Sequence, residues 1–441
     1  MRALGRIAMI SEHANPLALL GGEDAGGQNV YVYELSTGLA QLGYQVDVFC
    51  RRDSPRPGEV VRLAPRVQVV HIAAGPAQFI KKDELWPLMP DFLAGIAAYM
   101  RRQRRPYDLI HSNFWMSGWV ACELKALLGL PVVHIFHALG AIKRLEQGKA
   151  DTSPAERRAV ERRIIREVDC LIAQCPAEVD DLRRYYTADV RNVCVVPSGV
   201  NVDRFHPVPQ RTARARLGLS QHEFIVGYVG RLVPRKGVDT LIEGFSGLAC
   251  CASARPMRLL IVGGEQRDPA QDSSPELLRL RRLAEVLCVS DQVWFVGKRQ
   301  PDELALYYGA ADVMVSIPWY EPFGLTPLEA QACGRAFIGS AVGGITYTVE
   351  EGVTGLLVPP RDPIALRNTL QQLLSNDELR HRMGRAGRRR VEREFTWARV
   401  VERTAALYET LIGGAEAGTA VAAVALPLSA IRLPSPRSDS L

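Results

Sequence analysis

The sequence predicts an α/β protein of two doubly wound, Rossmann-like domains facing a central cleft, and three observations lead to this prediction. Short apolar runs alternate with amphipathic stretches of helical period almost throughout, which is typical of parallel sheets covered by helices on both faces. The alternation restarts after residues 201–209, so a second sheet is expected there. The chain has 441 residues, which is too long for one core of ordinary size.

The individual elements follow from where each pattern begins and ends. In the first half, strands are predicted at residues 7–11, 45–50, 67–73, 108–111, 131–137, 170–174 and 193–197, and helices at residues 30–42, 118–128, 155–168 and 177–186. In the second half, strands are predicted at residues 224–229, 258–262, 293–296, 312–317 and 337–339, and helices at residues 238–248, 276–287, 301–310 and 328–333.

These patterns divide the chain into an N-terminal domain over residues 1–205 and a C-terminal domain over residues 206–412. An arginine-rich helical stretch over residues 377–411 is expected to close the second domain, and the end of this stretch could pack back on the first domain. Residues 413–441 are rich in Ala, Ser and Pro and are expected to form a disordered tail.

Composition excludes several classes of protein. The sequence contains no run of about 18 apolar residues, the length that a membrane-spanning helix needs. The N-terminus lacks the basic region, the long apolar core and the cleavage site of a signal peptide. The nine cysteines include no C-x-x-C pair, so reduced, buried thiols are expected instead of disulfides or a zinc site. A cytoplasmic protein follows from these features.

The formal net charge of +6 suits anionic small molecules and does not require a nucleic acid. The arginines cluster at residues 101–105 and at Arg388–Arg390, where solvated helix faces are expected. Weak peripheral contact with anionic lipid headgroups is the alternative. No aromatic residues interleave with these arginines, so no nucleic-acid partner is expected. The sequence leaves the oligomeric state open.

A glycine-rich loop, Gly21–Asn29, follows the first predicted strand and precedes a helix. Glycine lets backbone N–H groups approach a ligand closely, and a helix N-terminus favours an anion. The loop is neither a Walker P-loop nor a G-x-G-x-x-G fingerprint, which disfavours a kinase or a dehydrogenase. A simple turn is the alternative.

Charged residues follow two predicted strands of the second half. Arg231 and Lys236 lie five residues apart across a turn, where two fixed cations could neutralise a departing phosphate group; two solvated surface cations are the alternative. Glu321 and Glu329 bracket a loop that contains Gly324. A carboxylate near a helix N-terminus is favourable even without function, which could explain Glu329. Glu321 lies in an apolar and aromatic setting and has no such explanation.

His137 ends a predicted strand of the first domain, at the edge of the sheet where open α/β folds bind ligands. A hydrogen-bonded core histidine is the alternative. The chain contains no Asp-x-Asp sequence, so the usual metal–diphosphate arrangement is missing. We therefore expect neither a metal nor a cofactor, with protein cations and helix ends in the metal's place.

Together these elements resemble the retaining glycosyltransferases of family 4, which have the two-domain GT-B fold. The resemblance rests on the E-x7-E pair Glu321 and Glu329, the G-R-x-x-x-x-K-G segment at residues 230–237, and His137, and it covers roughly residues 5–410. It implies an enzyme that moves a hexosyl group from a nucleotide sugar, most plausibly a UDP-sugar, to a small acceptor. It also implies front-face substitution without a protein nucleophile.

The resemblance further implies a role for each matching residue. Arg231 and Lys236 would grip the donor diphosphate, Glu321 would contact the donor sugar, Glu329 would hold the ribose, and His137 would lie beside the transferred sugar. The remaining donor-binding residues, which act largely through their backbone, are Gly26, Gly27, Val296, Gly297, Phe323, Gly324, Leu325 and Thr326.

Residues 24–34 are similar to two branches of the family: the sucrose synthases with the sucrose-phosphate synthases, and the inositol-phosphate N-acetylglucosaminyltransferases of mycothiol synthesis. Both branches include enzymes that accept phosphorylated small molecules. The implied acceptor-binding residues are Gln28, Asn29, Lys82, Lys143, Arg157 and Arg158.

Two positions depart from the mycothiol branch. Phe114 and Ala138 stand where that branch has tyrosine and threonine, and residues 137–143 are more similar to the sucrose-phosphate branch, so a sucrose-phosphate-like product is favoured. The alternatives are an inositol-phosphate N-acetylglucosaminyltransferase, a transferase for a lipid or cell-surface glycan, a nucleotide-sugar epimerase, and a non-catalytic sensor of nucleotide sugars.

Overall fold

The computed structural model describes residues 4–17, 26–55, 58–249 and 255–414. Most of the predicted glycine-rich loop and most of the predicted tail therefore lie outside the described residues. Within them the chain forms two separate, largely parallel sheets flanked by helices, which confirms the predicted α/β class with two doubly wound units.

The first sheet contains eight strands, which are β1 Arg6–Ile10, β2 Gln45–Arg51, β3 Val60–Ala64, β4 Val67–Ile72, β5 Leu109–Asn113, β6 Val132–Ile135, β7 Cys170–Ala173 and β8 Val193–Val195. Their order is β3-β4-β2-β1-β5-β6-β7-β8, and only β3 runs antiparallel to its neighbour. The helices of this half are α1 Gly27–Leu42, α2 Met89–Arg101, α3 Trp115–Leu128, α4 Gly140–Gln147, α5 Arg157–Glu167 and α6 Pro176–Tyr186.

The second sheet contains six parallel strands, which are β9 Phe224–Val229, β10 Met257–Val262, β11 Val293–Gly297, β12 Val313–Ser316, β13 Ala336–Ser340 and β14 Gly355–Val358. Their order is β11-β10-β9-β12-β13-β14. The helices that follow the first half are α7 Gln210–Leu217, α8 Val238–Ala249, α9 Pro275–Val286, α10 Leu304–Ala310, α11 Leu325–Ala332, α12 Ile345–Thr348, α13 Pro363–Leu374, α14 Asp377–Glu394 and α15 Trp397–Ile412.

Both sheets reverse their winding at a central strand. In the first sheet β1 lies between β2 and β5, and in the second β9 lies between β10 and β12. A crevice opens beyond the carboxyl ends of the strands at such a reversal, and open α/β sheets bind ligands there. The loops that follow β1, β6, β9 and β12 carry most of the predicted site residues, so the topology gathers them at two sheet edges.

Burial on both faces explains why the strands could be predicted. Every residue of β1 and of β9 is buried, and separate clusters of apolar side chains lie on the two faces of each sheet. By contrast, β3 is an edge strand whose residues are half-buried or exposed, and it was not predicted. Its pattern lacks the continuous apolar run that marks a strand buried on both faces.

The helical stretch predicted over residues 377–411 consists of two helices, because the chain breaks at Phe395 and Thr396 between α14 and α15. The backbone N–H of Val200 donates to the carbonyl of Phe395 at 2.8 Å, so the chain crosses back beside the segment that left the first domain. The Thr396 side chain caps α15 by accepting the N–H of Arg399. Helix α15 then contributes side chains, Tyr408 among them, to the core of the first sheet.

The predicted charge clusters and thiols take mixed positions. Arg388 and Arg390 donate to backbone carbonyls of neighbouring elements, so they hold the fold together and do not form a solvated face.

Cys288 is exposed, which corrects the expectation that the thiols are buried. The other described cysteines are buried, and all of the described thiols are free. None of the described helices is both long enough and apolar enough to cross a membrane.

The contact between α1 and α15 makes a testable prediction. Gly38→Ala would place its Cβ 2.4 Å from a methyl group of Val401, whose branched side chain has little rotational freedom. We expect this variant to lower the free energy of unfolding by about 1–3 kcal/mol, measured by chemical denaturation. Elsewhere in a helix, Gly→Ala stabilises by up to about 1 kcal/mol.

Gly247→Ala is the matched control, because the atom nearest its added Cβ, at 3.0 Å, belongs to the flexible side chain of Arg367. It should be neutral or stabilising. Equal effects of the two variants would contradict close packing of α15 on α1.

Candidate active site

The carboxyl ends of the two sheets meet across a cleft. The side-chain amide of Gln147 donates to the hydroxyl of Tyr320 at 2.8 Å, and the Sγ of Cys175 lies 3.6 Å from the carbonyl oxygen of Pro322. A cavity of about 260 Å³ lies at this boundary, lined by α4 and α6 on one side and by residues 319–322 on the other. The cleft is therefore built from both halves of the chain.

A largely buried ion pair lies on the second-domain side of this cleft. Lys236 follows β9, Glu321 follows β12, and the Nζ of Lys236 donates to the carboxylate of Glu321. Their side chains are only 17% and 16% exposed. Burial alone would raise the pKa of Glu321, but the charges of Lys236, Arg235 and Arg231 outweigh burial and lower this pKa. Burial lowers the pKa of Lys236, and the Glu321 carboxylate opposes that effect.

Two glycines that were not predicted hold the loop of Glu321 in place. Gly344 donates its N–H to the carbonyl of Glu321 at 3.0 Å. A Cβ on Gly343 would lie 2.2 Å from the Glu321 carbonyl oxygen, and one on Gly344 would lie 2.3 Å from backbone atoms of Phe323. Larger residues could not approach this closely. The signal in the sequence was the Gly-Gly doublet just after β13.

The other predicted donor-binding residues lie near the carboxyl edge of the same sheet. Arg231 is exposed in the turn after β9, and Val296 and Gly297 end β11. Phe323 is buried, Gly324 precedes α11 with a φ of +89°, and Leu325 and Thr326 begin that helix.

Glu329 lies one turn further along α11 and accepts a hydrogen bond from the hydroxyl of Tyr308 at 2.6 Å. Burial raises the pKa of the Glu329 carboxyl group, and the hydrogen bond from Tyr308 offsets only part of this effect. In the described part of the chain, His, Cys, Asp and Glu side chains do not gather in groups of three or more that could hold a metal ion.

His137 lies on the opposite side of the cleft, just beyond β6. It has a φ of +59°, which is rare for a residue other than glycine. Its Nε2 lies 3.0 Å from the Oδ1 of Asn113, whose Nδ2 donates to the carbonyl of Ile10. With Oδ1 as the acceptor, Nε2 carries the proton and Nδ1 is left as the acceptor. Burial lowers the pKa of His137 to about 3, with further repulsion from His111 and His13.

The two predicted acceptor residues of α1 differ in position. The amide of Gln28 is half-buried and donates to the hydroxyl of Ser11 at 3.2 Å. Asn29 is buried; its Oδ1 accepts the N–H of Gly26 at 3.0 Å, and its Nδ2 donates to the carbonyl of Asn15 at 2.9 Å. The Asn29 side chain thus builds the start of α1.

Two of the predicted acceptor cations, Lys143 and Arg157, meet at a single hydroxyl, which was not predicted. The Oγ of Ser153 lies 3.0 Å from the Nζ of Lys143 and 3.2 Å from a nitrogen of Arg157. Lys143 also pairs with Asp151 at 3.1 Å and with Asp83 at 3.3 Å. Lys82 is next to Asp83 in the chain. Burial raises the pKa of Asp83, but a hydrogen bond from Thr152 and the charges of Lys143 and Lys82 outweigh burial and lower this pKa.

Arg157 is buried and firmly positioned. It donates to Glu161 at 2.9 Å and to the carbonyl of Ala138 at 2.6 Å, and its guanidinium lies 5.0 Å from the centre of the Phe114 ring. Arg158 is exposed and directs a nitrogen to the carbonyl of Tyr185 at 3.4 Å. A cavity of about 560 Å³ is lined by Arg144, Asp151, Ser153, Arg157, Arg158 and Tyr185, among others.

Two acidic side chains of α6, Glu178 and Asp181, line the smaller cavity at the domain boundary. Burial raises the pKa of Glu178 to about 7, although the N–H of Gln174 donates to its carboxyl group. Burial and the neighbouring Asp180 raise the pKa of Asp181 to about 6. The cleft therefore becomes more negatively charged as the pH rises from about 6 to about 7 and these two carboxyl groups lose their protons.

Comparison with known proteins agrees with this arrangement. Residues 25–204 match the model of "Glycosyltransferase Family 4", and residues 209–390 match that of "Glycosyl transferases group 1". The D-inositol 3-phosphate glycosyltransferase of Corynebacterium glutamicum is 37% identical over 411 residues, which cover 92% of this chain and 97% of that protein.

Solved structures share the fold. The sucrose-phosphate synthase of Thermosynechococcus elongatus is 37% identical, with a TM-score of 0.84 over 93% of this chain and 100% of that one. The Anabaena protein HepE, solved in complex with UDP, is 18% identical, with a TM-score of 0.71 over 92% of this chain and 100% of that one.

The pKa of Glu178 predicts how stability depends on pH. A carboxyl group whose pKa is raised on folding stabilises the folded chain below the unfolded pKa, and this stabilisation is lost as the pH rises through the folded pKa. For Glu178 the window runs from about pH 4.5 to about pH 7. Across this window the parent loses stability, whereas Glu178→Gln has no carboxyl group to titrate at this position. We therefore expect the free energy of unfolding of Glu178→Gln, relative to that of the parent, to increase by an amount on the order of 3 kcal/mol.

The measurement is urea denaturation of both chains at pH 4.5 and pH 8. Glu285→Gln, at an exposed site on α9, controls for the loss of one negative charge. A constant difference between Glu178→Gln and the parent at the two pH values would contradict a buried, proton-binding Glu178.

Proposed function

Because the chain belongs to the group 1 glycosyltransferases of family 4, we propose that it transfers a hexosyl group, with retention of configuration, from a UDP-sugar to a small phosphorylated acceptor. The observation that carries this proposal is the buried ion pair of Lys236 and Glu321 at the carboxyl edge of the second sheet, with His137 on the other side of the cleft. The same arrangement supports the assignment of donor to the second domain and acceptor to the first.

Charge supports the donor assignment. The charges of Lys236, Arg231 and Arg235 all act on the Glu321 carboxylate, so three cations lie close together at this edge. Such a group of cations suits a diphosphate, and fixed cations stabilise the charge that develops on a leaving group without having to reorganise. The N-terminus of α11, held by the loop of Gly324, offers backbone N–H groups to the same anion. Neither a metal nor another cofactor is part of the proposal.

In the proposed reaction the bond between the sugar C1 and the diphosphate oxygen breaks, and the acceptor oxygen bonds to C1 on the same face. The acceptor proton passes to the departing diphosphate oxygen. His137 is a poor candidate for that proton, because a pKa of about 3 makes it a weak base. Its neutral Nδ1 is suited to accept a hydrogen bond from a sugar hydroxyl and so to position the donor.

Two observations support a phosphorylated acceptor. The names of the 37% identical relatives, D-inositol 3-phosphate glycosyltransferase and sucrose-phosphate synthase, both specify a phosphorylated small molecule. In addition, Lys143 and Arg157 converge on Ser153 beside the larger cavity. Since guanidinium and ammonium groups are the usual ligands of phosphate, this cluster is suited to an acceptor phosphate.

The product of the sucrose-phosphate type is favoured by the absence of two hydroxyl groups, because Phe114 and Ala138 supply no phosphate-binding oxygen from their side chains. Transfer to an inositol phosphate is the second candidate, favoured by the relative that covers 92% of the chain. The two candidates differ in the acceptor and in the transferred sugar, so one assay that varies both distinguishes them.

The test is incubation of the purified chain with UDP-sugars and with hexose phosphates, D-inositol 3-phosphate or their unphosphorylated forms. Products are identified by mass spectrometry, and NMR gives the configuration at the anomeric carbon. A thermal-shift screen against nucleotide sugars identifies the donor beforehand, since a ligand that binds only the folded chain raises its melting temperature. Transfer with inversion, or no transfer to any phosphorylated acceptor, would refute the proposal.

Lys236→Ala tests the leaving-group role. We expect kcat/KM for transfer to fall at least about 100-fold, because removing one preorganised charge donor typically has that effect. Lys125→Ala, in the last turn of α3, is the matched control and should keep its activity. Circular dichroism shows whether each variant is folded, and a folded Lys236→Ala enzyme with wild-type turnover would remove this lysine from the mechanism.

Lys143→Ala tests the acceptor site. We expect the KM for the phosphorylated acceptor to rise about tenfold, as the loss of one charged hydrogen bond implies. Weak transfer to the unphosphorylated acceptor should not change. Lys149→Ala, an exposed neighbour, is the control. An equal loss with both acceptors would indicate that Lys143 supports the fold of the loop and does not bind phosphate.

A further inference from the structure

A second cationic pocket lies at the opposite edge of the second sheet. Asp312 and Arg335 immediately precede β12 and β13, whereas Glu321 follows β12 at its other end. The strands are parallel, so this pocket opens at the amino edge and the cleft at the carboxyl edge. The pocket has a volume of about 100 Å³ and is lined by Gln210, Arg255, Asp312, Gly334, Arg335, Ala336, Asp377, Arg380 and His381.

Arginines from separate elements converge on a single buried carboxylate in this pocket. Asp312 lies 2.7 Å from a guanidinium nitrogen of Arg214, 3.6 Å from one of Arg255 and 3.9 Å from one of Arg380. The same carboxylate accepts the backbone N–H of Ile225 at 2.7 Å. Its acceptor capacity is thus largely used. Arg380 also pairs with the exposed Asp377, so two carboxylates stand against the arginines of this cluster.

Arg335 is the least satisfied of these arginines. Among the described residues its guanidinium makes one hydrogen bond, to the carbonyl of Val208 at 3.2 Å, and its Nε is buried without a partner. Burial lowers the pKa of Arg335, and repulsion from Arg214 lowers it further. The negative charge of Asp312 acts in the opposite direction. A buried charged donor without an acceptor is costly, so this site gains stability from a further anion.

We propose that this pocket binds a small oxyanion of the phosphate class, either free or as the end group of a phosphomonoester. Guanidinium groups match tetrahedral oxyanions with paired N–H donors, and Arg255, Arg335 and Arg380 all line the pocket. Arg255 and Arg380 also donate to backbone carbonyls, which holds them in place. Sites for drug-sized ligands need about 300 Å³ or more, so the pocket admits one phosphate group, and the rest of a phosphomonoester would lie outside it.

The test is isothermal titration of the full chain with inorganic phosphate and, separately, with glycerol 3-phosphate. Arg335→Gln and Arg255→Gln should each weaken phosphate binding at least about tenfold, whereas Arg335→Lys, which keeps the charge, should weaken it less. The titrations are repeated in Lys143→Ala, which disables the proposed acceptor site. Phosphate binding that persists in this variant and is weakened by the arginine substitutions belongs to the pocket at the amino edge. Tighter binding of glycerol 3-phosphate would identify the ligand as a phosphomonoester, and weaker binding as free phosphate.

The proposal is overturned if the parent chain binds neither ligand up to about 10 mM, or if the loss of affinity occurs only in Lys143→Ala. It is also overturned if the folded arginine variants bind phosphate as tightly as the parent. Should Arg335→Gln fail to fold by circular dichroism, Arg255→Gln decides the question, because the Arg255 side chain is one-third exposed and lies at the rim.

Discussion

The cleft depends on one buried ion pair, between Lys236 and Glu321. Moving either charge out of water alone would cost several kcal/mol, so each group requires the other, and loss of one partner leaves an uncompensated charge. The two residues follow β9 and β12, which are neighbours in the sheet, and the glycines after β13 hold the Glu321 loop from the far side. The pair therefore fixes the geometry of the loops and keeps an ammonium group in a largely dehydrated position, where its effect on the proposed donor diphosphate would be largest.

A second constraint ties this cleft to the first domain. The chain leaves that domain near Val200 and re-enters it at Thr396, and the two segments lie side by side, joined by a backbone hydrogen bond. Gly199 fits against the backbone of Trp397, where a Cβ would lie 2.9 Å from its nitrogen. Relative motion of the domains must bend both segments at once, which describes a hinge. Any closure of the two domains around a substrate would pivot at these two chain segments.

The sequence predicted features that depend on local pattern and missed those that depend on distant contacts. Strands buried on both faces form continuous apolar runs, so most were found, whereas β3 is half exposed and β14 is an edge strand that begins with a glycine. Glu321 stood out because no local reason placed a carboxylate there. Asn113, Ser153 and Gly344 were missed because each acts through a partner that only the folded chain brings near, such as His137 for Asn113.

The two departures from the mycothiol branch have a common structural meaning, because both lie against one side chain. The Phe114 ring lies beneath the guanidinium of Arg157, and the carbonyl of Ala138 accepts a hydrogen bond from the same group. The hydroxyls of tyrosine and threonine are absent at these positions, so a phosphate in the adjoining cavity would be recognised mainly by charge. Charge recognises any phosphomonoester, and the shape of the cavity and the hydroxyls of the acceptor must then supply the selectivity. If the acceptor is a phosphomonoester, as proposed, the specificity of this chain is expected to reside in the part of the acceptor that carries no phosphate.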